Sequence, residues 1–358
     1  MTMTFTSRIP ARQFGFESDA TIPGFEPLQH PPTAPALIAP IDPDHVFEES
    51  FLKDLVLWWT ADDTRTPLYI SGPTGCGKTT SVLQFLARLN AASVSLTCSR
   101  RFVKDDLVGR WGAVNGGFSW FDGPATFAWK TGAVLLINEF SLAPPEVWVG
   151  ANDIFEGQSI TIEKTGVTVV RHPNARVIIT DNCRCGCSPD QNYSSRNLQD
   201  ASTCDRFWHM TAKWPDEAVE CRIVEAKCRR LFAGVLPEDI LQAIAQSAAA
   251  FARATRKNDL NNRDRFCEDA LAAVSTRVVL RLAEILARLL ADGHGFDPSL
   301  ERAVALSIGS AFSNAQCLSM TELAAFHFAA LRKKLMSSKS KSKAKIPQLR
   351  LTTEQDFF

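Results

Sequence analysis

The chain has 358 residues, 45% of them hydrophobic and 22% charged, with 39 Lys plus Arg against 39 Asp plus Glu. Such a length is long for one core and predicts two domains or a domain with a lid. The composition is that of an ordinary globular protein, and a formal charge of zero gives no global pull toward nucleic acid or an anionic membrane. The longest apolar run near the middle, residues 133–137, is far too short to cross a bilayer, and the first residues carry no apolar stretch of signal-peptide length. A cytoplasmic protein without a membrane partner is therefore expected, with its ten cysteines as reduced thiols.

Residues 1–45 are proline-rich and lack regular periodicity, which predicts either a docking arm or a flexible leader. From His45 to Trp59 the apolar residues fall at helical spacing. Leu68, Tyr69 and Ile70 form a short apolar strand, followed at once by Gly72-Pro73-Thr74-Gly75-Cys76-Gly77-Lys78-Thr79. This matches GxxxxGK[ST] at every fixed position, and the next residues, from Thr80 and Ser81 to Leu89, continue as an amphipathic helix. Strand, glycine loop and helix in that order predict a cradle of backbone amides for nucleotide phosphates at a helix N-terminus. Lys78 is expected to reach the β- and γ-phosphates of ATP, and the Thr79 hydroxyl to coordinate Mg²⁺.

Residues 92–98 alternate as a second strand. The glycine- and aromatic-rich stretch 109–123 reads as a hairpin-like excursion, and 125–131 as a short helix. Ala133 to Ile137 is a continuous apolar run ending in Asn138-Glu139, the pattern of a buried parallel strand opening on a ligand crevice. Glu139 is placed to polarise the attacking water. Asn138 stands where an aspartate usually holds the Mg²⁺ shell; it can hydrogen-bond a metal-bound water but brings no charge.

Residues 159–163 and 167–170 predict a second hairpin, and 176–182 another buried strand whose polar end, Asn182, is suited either to touching the γ-phosphate or to forming a turn. Cys183, Cys185 and Cys187 follow, without the paired spacing usual for zinc, so free thiols are expected rather than a metal loop. Past Pro215 the pattern is helical nearly to Lys334, with the strongest apolar stripe at 276–291. The serine- and lysine-rich tail beyond residue 336 reads as a solvated linker. The expected organisation is an arm at 1–45, an α/β nucleotide core at 46–213, an all-α region at 214–335 and a tail at 336–358.

The ordered set GPTGCGKT, LLINEF, VIITDN, CDRF and STR resembles the AAA+ ATPases of the MoxR branch, and within it the CobS-type ATPase subunit of aerobic cobaltochelatase. The resemblance implies a P-loop AAA+ parallel-sheet domain followed by a helical lid. It makes Asn182 sensor 1, Arg206 an arginine finger presented to the neighbouring protomer, and Arg277 sensor 2. It further implies a ring of six subunits and a partner with a von Willebrand A-type domain whose remodelling consumes ATP. A chelatase subunit inserting cobalt or magnesium into a tetrapyrrole is the alternative within the family. A nucleotide-dependent DNA-binding motor draws on the basic tail but is disfavoured by the neutral net charge.

Overall fold

The computed structural model describes residues 5–27, 33, 36–185, 195–261, 273–308 and 314–339 of the chain. It divides into two compact units, Met1–Lys213 and Trp214–Phe358.

In the first unit the strands in chain order are β1 (Ser7–Pro10), β2 (Thr21–Gly24), β3 (Leu68–Ser71), β4 (Ser93–Thr97), β5 (Gly109–Val114), β6 (Gly117–Asp122), β7 (Val134–Asn138), β8 (Ile160–Ile162), β9 (Val167–Val169), β10 (Arg176–Asp181) and β11 (Trp208–Thr211). Five of them make the central sheet in the order β11-β3-β10-β7-β4, every neighbouring pair parallel. The central strands β3, β10 and β7 are buried along almost their whole length, as a sheet covered on both faces requires, while the edge strands β4 and β11 carry exposed residues. Leu68, Ile70, Val134, Leu136 and Ile178 point into one core. Tyr69, Leu135, Ile137, Val177 and Ile179 point into the other, as the two-residue side-chain period requires.

The first core receives helix Glu49–Trp59 and helix Lys78–Arg88. The former begins where the Glu48 side chain accepts hydrogen bonds from the backbone N–H groups of Ser50 and Phe51, satisfying donors that an uncapped first turn would leave open. Val82, Phe85 and Leu86 of the latter are fully buried, which accounts for the spacing seen in the sequence.

The N-terminal residues differ from the expectation of an irregular segment. β1 and β2 form an antiparallel ribbon whose Ile9, Phe14 and Ile22 enter the same core as Trp59 and Phe85. Phe14 is only 2% exposed, and burying such a ring contributes about 2–3 kcal/mol. The Trp59 indole N–H donates to the Pro23 carbonyl at 2.8 Å. Prolines hide this ribbon from a periodicity search, yet a two-stranded ribbon has only edge strands, where proline's missing N–H is tolerated.

Two further antiparallel ribbons, β5–β6 and β8–β9, lie outside the main sheet, at the two excursions predicted for 109–123 and 159–170. The second unit is built of helices Glu217–Phe232, Glu238–Asn261, Thr276–Ala291, Phe296–Ile308, Asn314–His327 and Ala329–Lys339, around a core containing Val224, Leu241, Phe251, Leu282 and Leu286. Inside it the Glu220 carboxylate and the Arg256 guanidinium pair at 2.7 and 2.8 Å. The greater part of the predicted tail, from residue 340, lies outside the described residues.

Candidate nucleotide site

Parallel register brings the polar strand ends together. Asn138 on β7 faces Thr180 on β10 and Thr97 on β4, while Asp181 on β10 faces Ser71 on β3, immediately before the glycine loop. The loop itself needs its glycines. A Cβ at Gly72 would lie 2.4 Å from the Ala212 carbonyl oxygen, closer than any side chain could be accommodated. Gly77 has φ +94 and is the residue from which helix Lys78–Arg88 starts, a left-handed conformation that costs glycine nothing.

Lys78 is buried, and its ammonium donates to Gly72 O at 2.7 Å, Pro73 O at 2.9 Å and Asn182 Oδ1 at 2.9 Å. Burial, which penalises the charged form, lowers its pKa from the ordinary lysine value; the Cys76 thiol and the Glu139 and Asp181 carboxylates act in the opposite sense. The Thr79 hydroxyl donates to Asn138 Oδ1 at 3.1 Å, and the Thr180 hydroxyl reaches the same oxygen at 2.9 Å. The Asn138 amide nitrogen donates to the Leu96 carbonyl at 3.2 Å. Both ends of Asn138 are therefore engaged, its oxygen toward the predicted metal-binding threonine.

Glu139 adopts φ +60, a left-handed conformation uncommon for a residue with a side chain and frequent at functional sites. Its Oε2 accepts from Asn182 Nδ2 at 3.3 Å. Lys78, Asn182 and Glu139 thus form a continuous chain of hydrogen bonds, with Thr79 and Asn138 beside it. Of the remaining expected loop residues, Thr74 and Thr80 are exposed and Pro73, Gly75 and Cys76 are half-buried.

Neither arginine given a role by the resemblance, Arg206 or Arg277, belongs to this chain of hydrogen bonds. Arg206 follows the short helix Ala201–Cys204; its Nε donates to Glu156 Oε1 at 2.8 Å, and its Nη1 bonds the Ser202 carbonyl. Arg277 belongs to the second unit, exposed in the first turn of helix Thr276–Ala291.

Two residues without an assigned role in the sequence reading turn out to organise the site. Asp181 is buried and accepts from Ser141 N at 2.7 Å, Ser141 Oγ at 2.9 Å, Tyr69 OH at 3.0 Å and Asn182 N at 2.7 Å. Its position at the end of an apolar run was a usable signal. Arg196 bonds Glu139 Oε2 and pairs with Asp181 Oδ1 at 3.4 Å; nothing in its local sequence marks it.

The expectation of reduced thiols throughout is corrected by a disulfide between Cys185 and Cys204. They are 19 positions apart in sequence, and the fold brings the chain after β10 against the helix before Arg206, a proximity that spacing alone does not reveal. Cys185 is thereby removed from any zinc reading, and Cys187 lies outside the described residues. Cys98, Cys221 and Cys228 are free thiols. No helix among the described residues is long and apolar enough to cross a membrane.

Residues 67–207 match the family model described as AAA domain (dynein-related subfamily), the interval that contains the glycine loop, Asn138, Glu139, Asn182 and Arg206. Over this interval the chain is similar to AAA domains, and the relatives it matches support a MoxR-type one. The chain is 30% identical over 161 residues to Protein CbbQ of Hydrogenophilus thermoluteolus, covering 45% of this chain and 58% of that one. It is 30% identical over 192 residues to Protein NorQ of Paracoccus denitrificans, covering 53% and 64%. Against the aerobic cobaltochelatase subunit CobS of Sinorhizobium sp the identity is 25% over 174 residues, covering 47% and 50%. The chain thus spans between half and two thirds of the length of these relatives.

Proposed function

We propose that this chain is a Mg²⁺-dependent ATP hydrolase that assembles as a ring, a hexamer by family resemblance, and spends turnover on remodelling a partner protein bearing a von Willebrand A-type domain. The observation that carries the reading is the joining of Lys78, Asn182 and Glu139 by hydrogen bonds at the carboxyl end of a parallel sheet, with Thr79 held beside them by Asn138. Amides of the glycine loop and the start of helix Lys78–Arg88 would receive the phosphates. Lys78 would exchange its two carbonyl partners for phosphoryl oxygens.

The groups around Thr79 are oxygen donors, two hydroxyls and the Asn138 amide oxygen, a set that fits Mg²⁺ when nucleotide phosphates provide the negative charge. Thr79 would be the protein ligand, with Asn138 beside it supporting the ion's hydration, and the ion would supply positive charge against that of the phosphates. Glu139 would take the proton of the attacking water, and Asn182, bonded to both Lys78 and Glu139, would orient that water against the phosphate. Arg206, only partly buried and tethered by Glu156, suits presentation to a neighbouring copy, and exposed Arg277 suits a sensor on a helical lid. The chelatase alternative rests on the CobS likeness, whose 25% identity is below the 30% to CbbQ and NorQ.

Mixing two inactive variants tests the reading. Lys78→Ala should lose nucleotide binding and Arg206→Ala should lose turnover, while an equimolar mixture should recover hydrolysis at interfaces that join an intact glycine loop to an intact Arg206. A wild-type chain that neither retains ATP nor self-associates with it would refute the proposal; turnover by Arg206→Ala alone would refute completion by a neighbour.

A further inference from the structure

Arg196 is the least expected member of the site. Its side chain is 8% exposed, and its guanidinium bonds Glu139 Oε2 while pairing with Asp181 Oδ1. Its backbone is fixed by its neighbour: Asn197 N donates to Ser141 O at 2.7 Å, and Asn197 Nδ2 donates to the Leu142 and Ala143 carbonyls at 3.1 Å. These three carbonyls belong to the turn that directly follows Glu139. Arg196 is therefore mounted on the same rigid piece of chain as the carboxylate it binds, and only its side chain needs to move to change partner.

The arrangement is poor for a base at the moment of catalysis. A permanent cation on Glu139 Oε2 disfavours the arrival of a water proton on the carboxylate, because a guanidinium cannot itself give up its charge. Arg196 Nη1 is at the same time buried without a hydrogen-bond partner, although Asp181 stands 3.4 Å away. A buried donor left open in this way costs free energy unless another acceptor completes it. The hydrogen-bond chain from Lys78 through Asn182 ends on the same Oε2 that Arg196 holds, so an anion bound at Lys78 would be separated from Arg196 by only the Asn182 and Glu139 side chains.

We propose that Arg196 senses a bound triphosphate from within its own chain: it restrains the Glu139 carboxylate and transfers to terminal phosphoryl oxygens, so that Glu139 is released to polarise water when a γ-phosphate is present. The inference rests on the nucleotide-hydrolase reading above. Diphosphate, lacking the terminal group, leaves Glu139 restrained, so binding of product does not prime the base. Arginine suits the exchange because its fork matches carboxylate and phosphate alike.

The test is equilibrium binding of Mg²⁺ complexes of a non-hydrolysable ATP analogue and of ADP to the full chain, with steady-state kinetics alongside. Arg196→Gln should weaken triphosphate binding about tenfold and leave ADP unchanged, the loss of one charged hydrogen bond; KM for ATP should rise while kcat is not lowered. Arg196→Lys should recover part of the triphosphate affinity. Glu139→Gln, which removes the competing carboxylate, should tighten triphosphate but not ADP, and the double variant should lose that gain. Equal weakening of both nucleotides, a fall in kcat at unchanged triphosphate affinity, or a gain that persists in the double variant would overturn the proposal. Should Arg196→Gln fail to fold, the Glu139→Gln comparison decides alone, unchanged triphosphate affinity being the refuting result. A wild-type chain that binds neither nucleotide would instead remove the functional reading from which the inference starts.

Discussion

Replacing Asn138 by Asp restores the residue more usual before the glutamate, and the structure argues that the change carries a cost. The Asn138 nitrogen donates to the Leu96 carbonyl at 3.2 Å, while its oxygen accepts from Thr79 and Thr180. A carboxylate keeps the two accepted bonds and turns the third into an acceptor facing an acceptor. Losing one net hydrogen bond costs about 1 kcal/mol, and leaving the Leu96 carbonyl opposed adds a comparable amount, giving about 2 kcal/mol in the metal-free chain. For a unit of this size that corresponds to a fall of about 4–8 °C in the unfolding midpoint. Mg²⁺ with nucleotide should return much of the loss, since a carboxylate suits the cation better than an amide does, and half-maximal hydrolysis should need less Mg²⁺. The assay is thermal unfolding of wild type and Asn138→Asp with and without Mg²⁺ and a non-hydrolysable ATP analogue. Equal midpoints for the two proteins without metal would refute the assigned role of the Leu96 bond, and an unchanged Mg²⁺ requirement would refute the placement of Asn138 at the metal.

Two further expectations concern groups outside the nucleotide contacts. His45 has its pKa lowered from 6.5 to about 4, by burial first and then by the Arg88 guanidinium, with Asp42 opposing. The fold therefore favours neutral imidazole, and its contribution is complete above pH 6.5 and lost as pH falls through about 4. Denaturant unfolding at pH 7.5 and pH 4.5 should show wild type losing about 2–3 kcal/mol more than His45→Gln over that interval; parallel pH profiles would contradict it. For the disulfide, a non-reducing peptide map should link Cys185 to Cys204, and a reductant should lower the unfolding midpoint, a cross-link over a loop of this length being worth about 3 kcal/mol. Two alkylatable thiols at these positions in the oxidised protein would overturn the assignment.

The sheet and the glycine loop were legible because each rests on a local pattern. Leu68–Ile70 before the loop and Val82, Phe85 and Leu86 after it are set by spacing within about twenty residues, and the buried run ending at Asn138 and Glu139 marks its own strand end. The N-terminal ribbon was not legible, since Pro10 and Pro23 break the period while the stabilising contacts, Phe14 on Phe85 and Trp59 on Pro23, join residues 71 and 36 positions apart. Cys185 and Cys204 are joined by the same kind of long-range proximity.

Arg196 shows where a motif search stops. It lies 57 residues after Glu139 and 15 after Asp181 in the chain, in a polar stretch with no periodicity, and its relevance comes from the turn at Ser141–Ala143 to which Asn197 is fixed. Motifs record residues that touch phosphate or metal, because those contacts demand particular side chains at particular spacings. A group that acts by holding one of them needs only to arrive at the right place, and a loop anchored through backbone carbonyls can deliver it from any sequence. Control of the base can therefore change while the glycine loop and Glu139 stay recognisable, and under the proposal above a substitution at Arg196 alters when hydrolysis occurs without altering what is hydrolysed.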